Sequence, residues 1–226
     1  MDYITDISQL DQGKQYTYAD YLTWRLKDRI ELIMGRIYPM FPASPDEAEG
    51  GGAGKRSWAP SSEHQQIVLA LLGNLYQYLK KRACKVFPAP FDVVLPSLSG
   101  TLDTVVQPDI TVICDLSKIT KRGCMGSPDL VVEVVSKASV KKDLHEKYSL
   151  YERCGIKEYW LVLPAERSLI MFTLDDAGVY QPSKPLTRGD KITSPSLPGL
   201  EIDLDEIFPD LVEEPEEGYG SEMRRV

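Results

Sequence analysis

The chain has 226 residues, 42% hydrophobic and 27% charged, enough for one large domain with its own core. No run approaches ~18 consecutive apolar residues, and the N-terminal MDYITDISQL is acidic rather than apolar, so neither a spanning helix nor a signal peptide is expected. The net charge of −8 speaks against a tight nonspecific DNA binder; however, residues 201–217 hold nine acids and no base, and without them 26 bases face 25 acids.

In chain order, Thr17 precedes YADYLTWRL, whose spacing of Tyr18, Tyr21, Leu22 and Leu26 suits a short helix capped by that threonine. Residues 30–40, IELIMGRIYPM, read as two strands folded at Gly35. Residues 41–60, with GGGAGK inside, read as a mobile loop. Ser61 or Ser62 then caps a long helix reaching about Arg82, with His64, Ile67, Val68, Leu71, Leu75, Tyr78 and Leu79 on one face. Residues 85–95 and 104–113 each read as a strand, and 117–127 as a connector. A strand over Leu130–Val135 leads into a helix over Val140–Cys154 that Gly155 ends, then a strand over Glu158–Leu163. Short strands follow through residue 203.

This order is α/β: a mixed β-sheet flanked by helices, preceded by a helix and hairpin and followed by a β segment. Residues 1–210 form one domain, and 211–226 an acidic tail without fixed structure. Four cysteines, Cys84, Cys114, Cys124 and Cys154, contain no C-x-x-C pair. They read as buried free thiols in a reducing cytoplasm.

Two charges fall where apolar residues belong. LVVEVV reads as a central strand covered on both faces, and Glu133 interrupts it on the face of Val131 and Val135. A carboxylate there loses hydration worth several kcal/mol unless a cation or donors replace the water; a glutamate reaching out past a sheet edge is the plainer alternative. On a helix of ~100° per residue, Val140, Leu144, Tyr151 and Cys154 lie within roughly ±40° of one line, and Lys147 sits near its middle. Lys147 pointing at Glu133 satisfies both; a lysine stem lying on the core with its head in solvent is the alternative. Asp109, in the strand QPDITVI, would add a second carboxylate. Two carboxylates suit Mg²⁺ or Mn²⁺, and a metal-bound water beside a lysine is the chemistry of phosphodiester hydrolysis.

The ordered segments ELIMGRIYPM, SSEHQQIVLAL, VQPDITVI, SPDLVVEVVSKAS and KKDLHEKYSLYERCGIKEYWLV resemble the Uma family, a restriction-endonuclease-like branch of the PD-(D/E)XK nuclease superfamily. The resemblance covers about residues 15–175. It implies that Asp109 and Glu133 are the metal carboxylates and Lys147 the catalytic lysine. A standard (D/E)XK element would place the lysine at Val135, so the lysine has moved to the following helix. Glu31 resembles the family's N-terminal acid and would complete the metal shell; read alone, it is only a strand residue. His64 matches a family histidine, more in keeping with a site wall than a ligand. Asp143, one turn before Lys147, can pair with it. Asp129, Ser136 and Ser139 read as caps, and Tyr148, Tyr151, Tyr159 and Trp160 as core.

The implied activity is a Mg²⁺- or Mn²⁺-dependent bacterial endonuclease acting on DNA as a cytoplasmic homodimer, with no membrane association. A catalytically idle nuclease fold serving as an oligomeric binding module is the alternative from a different class. Hydrolysis of a small phosphate ester is a third.

Overall fold

The computed structural model describes residues 3–40, 60–97, 99–135 and 146–208. Outside the described residues lie all of the expected loop except its last residue, the candidate caps Ser136 and Ser139, Asp143, and the acidic tail 211–226.

Thr17 starts α1 (Tyr18–Tyr21) by exchanging hydrogen bonds with Asp20 in a capping box. β1 (Ile30–Ile33) and β2 (Arg36–Pro39) form an antiparallel hairpin. Met34 and Gly35 both take positive φ in its turn, 52° and 77°. That pair of conformations matches the twist of a two-residue hairpin, and glycine adopts it without a steric penalty. Ser61 caps α2 (Ser62–Leu79) by accepting the His64 N–H, and the helix buries Ile67, Leu71, Leu75 and Leu79.

The two strands expected over 85–95 and 104–113 are each two strands. β3 (Lys85–Pro88) and β4 (Asp92–Pro96) lie in different sheets, as do β5 (Leu102–Val106) and β6 (Ile110–Ile113). Prolines explain both breaks. Pro88, Pro90 and Pro108 have no N–H to give to a ladder, so pairing stops and the chain crosses from one sheet to the other. The connector at 117–127 also holds a strand, β7 (Gly123–Met125), paired parallel with β4. A Cβ at residue 123 would collide with the Asp92 carbonyl, so this close pairing requires Gly123.

β8 (Leu130–Val134) is buried at every position. The helix expected over 140–154 is described as α3 (Tyr148–Arg153), entered through a wide π-type turn at residues 146–147 and left through Gly155 at φ 71°. β9 (Glu158–Leu163), β10 (Ser168–Leu174), β11 (Tyr180–Pro182), β12 (Lys191–Ser194) and β13 (Leu197–Asp203) complete the described chain.

The first sheet runs β2-β1-β5-β4-β7, the second β11-β10-β9-β8-β6-β3, and β12 and β13 form a separate ribbon. The architecture is α/β with mixed sheets, since β4–β7 and β8–β9 are parallel while the other pairs are antiparallel. One face of the second sheet packs on α2 and the ribbon, through Leu71, Val132, Trp160 and Ile202. Its other face meets the first sheet and α3, through Val131, Leu161, Tyr151, Val106 and Ile33. Tyr16 and Trp24 cover the outer face of the first sheet around Leu32 and Val105. Among the described residues, no helix is long and apolar enough to cross a membrane.

The expectation of four free thiols is corrected at two positions. Cys84 and Cys114 form a disulfide. The β3–β6 register pairs Lys85 with Ile113, so the two cysteines occupy the next cross-strand position, where side chains face each other closely. Free cysteines therefore no longer argue for a reducing compartment at these sites. Cys124 and Cys154 remain free. Denatured, unreduced protein is expected to release two reactive thiols per chain; four would contradict the cross-strand bond. In the native state, burial pushes the Cys124 thiol up to about 11. Its alkylation should therefore be slow at pH 8 and quicken as pH approaches that value, because the thiolate is the reactive form; fast labelling of Cys124 at pH 8 would contradict its burial.

Candidate active site at the seam between the sheets

Glu133 projects from β8 on the face of Val131 and Val135, toward the seam where the two sheets meet. Its Oε1 accepts hydrogen bonds from Lys147 Nζ at 2.8 Å and from the Tyr151 hydroxyl at 2.6 Å. Glu31 arrives from β1, in the opposite sheet. Its Oε1 lies 3.0 Å from the same Nζ and accepts the backbone N–H of Gln107 at 3.2 Å. Relative exposures are 1% for Glu31, 5% for Glu133 and 4% for Lys147.

Two buried carboxylates thus share the ammonium of Lys147. Charge burial of this kind is tolerated only with close pairing and hydrogen bonds on the remaining lone pairs. Tyr151 supplies one such bond. Its hydroxyl is held well above the usual phenol range, by burial first and then by the charges of Glu133 and Glu31, so it remains a donor.

Asp109 stands one residue before β6. That strand pairs Ile110 with Val132, and one further step of the register sets Asp109 opposite Glu133. The ladder ends there, and Asp109 Oδ2 accepts the backbone N–H of Val134 at 2.8 Å. His64, the third residue of α2, brings Nε2 to 3.3 Å from the same oxygen. The Asp109 carbonyl accepts the Ala89 N–H at 3.0 Å, which ties the two proline-marked crossovers together.

Glu31, Glu133 and Lys147 are therefore in direct contact, and Asp109 and His64 form a second pair one strand away. Among the described residues, no three His, Cys, Asp or Glu side chains are grouped to hold a metal ion by themselves. The donor set is nonetheless all hard oxygen, and Mg²⁺ commonly takes one or two protein carboxylates and fills its remaining positions with waters and phosphate oxygens.

Reasoning from sequence placed Tyr151 in the core and passed over Gln107 and Asp92. Tyr151 shares the helical stripe of Lys147, and a buried tyrosine hydroxyl needs a partner; that was the available signal. Gln107 Oε1 accepts from Arg29 Nε at 3.0 Å and Nη2 at 2.6 Å, and its Nε2 donates to Asp92 Oδ1 at 2.7 Å. Nothing local in the sequence marks these long-range partners. Asp129, read as a cap, accepts the Cys114 N–H at 2.7 Å and pairs with Lys157 at 2.6 Å.

Residues 57–205 match the model of the Uma2 family, described as "Putative restriction endonuclease". Five chains of known structure also match. One is a crystal structure titled as "a putative nuclease belonging to DUF820 from Anabaena variabilis ATCC 29413", with 16% identity, a TM-score of 0.62, and coverage of 85% of this chain and 97% of that one. At that identity the likeness is one of fold. No curated protein matches the chain.

Replacing Lys147 with Met would remove the ammonium that two buried carboxylates share. In EDTA, Lys147→Met is expected to lose ~3–5 kcal/mol of stability to urea, and adding Glu31→Gln should recover part of that loss. A Lys147→Met variant as stable as wild type at pH 8 would contradict the shared-ammonium arrangement.

Proposed function

The chain belongs to the Uma2 family of "Putative restriction endonuclease" proteins, and from that premise we propose that it is a divalent-metal-dependent endonuclease hydrolysing phosphodiester bonds in DNA. The observation that carries this reading is the convergence of carboxylates at the seam: Glu31 and Glu133 both reach the ammonium of Lys147, and Asp109 stands at the register position opposite Glu133. Three carboxylates beside Lys147 make a polar site rich in hard oxygen donors, held by β1, β8, the residue before β6 and the turn before α3. Such a site attracts a small hard cation more readily than it attracts a bare phosphate.

In this reading Asp109 and Glu133 hold Mg²⁺ or Mn²⁺, with Glu31 contributing more weakly. The bound cation would acidify a water and offset charge building on the phosphate. The chain's own residues do the positioning. Tyr151 and Lys147 fix Glu133 Oε1, and the Gln107 N–H fixes Glu31. Lys147 also supplies positive charge next to the place where negative charge develops. The Val134 N–H holds Asp109 in place, and His64 Nε2, beside Asp109 Oδ2, can carry a proton to or from the reacting oxygens. Asp143, one turn before Lys147 in sequence, would assist it from outside the described residues. Cutting both strands of a duplex would require two such sites, which a homodimer provides.

A second reading has its own support. Lys147 Nζ already sits between the two glutamates, as it would in an idle nuclease fold retained as a binding module. The two readings divide on one experiment. Supercoiled plasmid is incubated with purified protein in Mg²⁺, Mn²⁺ or EDTA, beside Glu133→Gln, Asp109→Asn and Lys147→Met variants shown to be folded. Metal-dependent nicking that falls at least ~10²-fold in each variant is the expected result. Nicking that survives Glu133→Gln would sink the site assignment, and an inert wild type on plasmid and single-stranded DNA alike would favour the binding module.

A further inference from the structure

A second feature lies next to this site and is not used by it. A cavity of about 460 Å³ opens between the turn joining β3 to β4 and the turn leading into β7. That volume lies in the ~300–1,000 Å³ range of small-ligand sites. Phe87 and Phe91 line it and stack on each other, with ring centroids 4.2 Å apart and planes 5° from parallel. Asp92 and Gln107 line it as well. Lys121 and Arg122 also line it; both are exposed, and neither forms an ion pair among the described residues.

The cavity is coupled to the seam through two direct links. Gln107, in its wall, gives its backbone N–H to Glu31. The turn carrying Phe87 and Phe91 is hydrogen-bonded from the Ala89 N–H to the carbonyl of Asp109. The wall of the cavity is therefore hydrogen-bonded directly to two residues of the candidate active site.

The lining combines three kinds of group that a nucleotide requires. An aromatic stack can be extended by a base, because every base has a π-face. A carboxyl and an amide can meet a base edge. Gln107 already commits one N–H to Asp92 and its oxygen to Arg29, so its amide is held in one orientation. Asp92 accepts from Gln107 Nε2 and from the Tyr21 hydroxyl, so its carboxyl is fixed in place, while burial raises it from its ordinary value. Two adjacent exposed cations can hold a phosphate. We propose that this cavity takes one unstacked nucleotide of the DNA strand, with the base against the Phe87–Phe91 stack and its phosphate on Lys121 and Arg122. The proposal rests on the nuclease reading for its choice of DNA, and extraction of a single base from a stack is a recurrent way for proteins to read or grip a strand.

The test measures binding in EDTA, where cleavage plays no part. Fluorescein-labelled dT20 and an abasic strand with the same number of phosphates are titrated against wild type, Phe91→Leu and the double variant Lys121→Ala/Arg122→Ala. Wild type should bind dT20 about tenfold tighter than the abasic strand, in line with the stacking of one base. Phe91→Leu should remove most of that preference. The double variant should weaken both strands alike and reduce the slope of log K against log salt by roughly 0.7, the loss of one phosphate contact on a single strand. Equal binding of dT20 and the abasic strand by wild type overturns the proposal, as does an unchanged salt slope in the double variant. Displacement of dT20 by dTMP at equal nucleotide concentration overturns the strand assignment in favour of a free nucleotide. Should Phe91→Leu not fold, the double variant, altered only at exposed residues, still decides. The predicted binding pattern without plasmid nicking would defeat the nuclease reading and leave the cavity assignment intact; nicking without that pattern would do the reverse.

Discussion

One ammonium held between two buried carboxylates sets the terms for the rest of this structure. Lys147 can sit within hydrogen-bonding distance of both Glu31 and Glu133 only if β1 of the first sheet, β8 of the second and the turn before α3 converge on one point. A misplacement of any of them would leave a charge buried without a partner, at a cost comparable with a large part of a domain's net stability. The same arrangement gathers hard carboxylate oxygens at the seam. The feature that makes the site demanding to fold is thus also the feature that makes it suited to a hard cation.

The prolines bring the two sheets to that seam. Pro88 and Pro90 end one ladder and Pro108 ends another, and each break sends the chain from one sheet to the other. Between them, the Ala89 N–H meets the Asp109 carbonyl, so the crossovers are tied to the residue that faces Glu133 in register. Candidate chemistry and candidate substrate grip therefore share one piece of backbone. The Asp109 side faces the carboxylates, and the Phe87–Phe91 side faces the cavity.

Much of this was legible from sequence because misplaced charge is a strong signal. Glu133 in an apolar strand and Lys147 on an apolar stripe both required partners, and the shortest solution paired them with each other. Thr17, Gly35, Ser61 and Gly155 marked element boundaries through conformations few other residues favour. The strand splits were harder to read, because 85–95 and 104–113 are apolar enough to pass for single strands, although Pro88, Pro90 and Pro108 lay inside them. Long-range partners were invisible. Neither the contact of Glu31 with Lys147 nor the bond of Gln107 to Glu31 has a local signature. The Cys84–Cys114 bond depends on the pairing register of β3 and β6, which spacing alone does not disclose.

The central claim is that the carboxylates at the seam form a cation site in this chain. Binding of Mn²⁺, followed by its electron paramagnetic resonance signal with no DNA present, tests it without relying on catalysis. The account predicts that wild type takes up Mn²⁺ saturably and competes for it with Mg²⁺, and that Glu133→Gln and Asp109→Asn each lose that uptake while remaining folded. Uptake by both variants equal to that of wild type would contradict the account and leave the two glutamates as structural partners of Lys147.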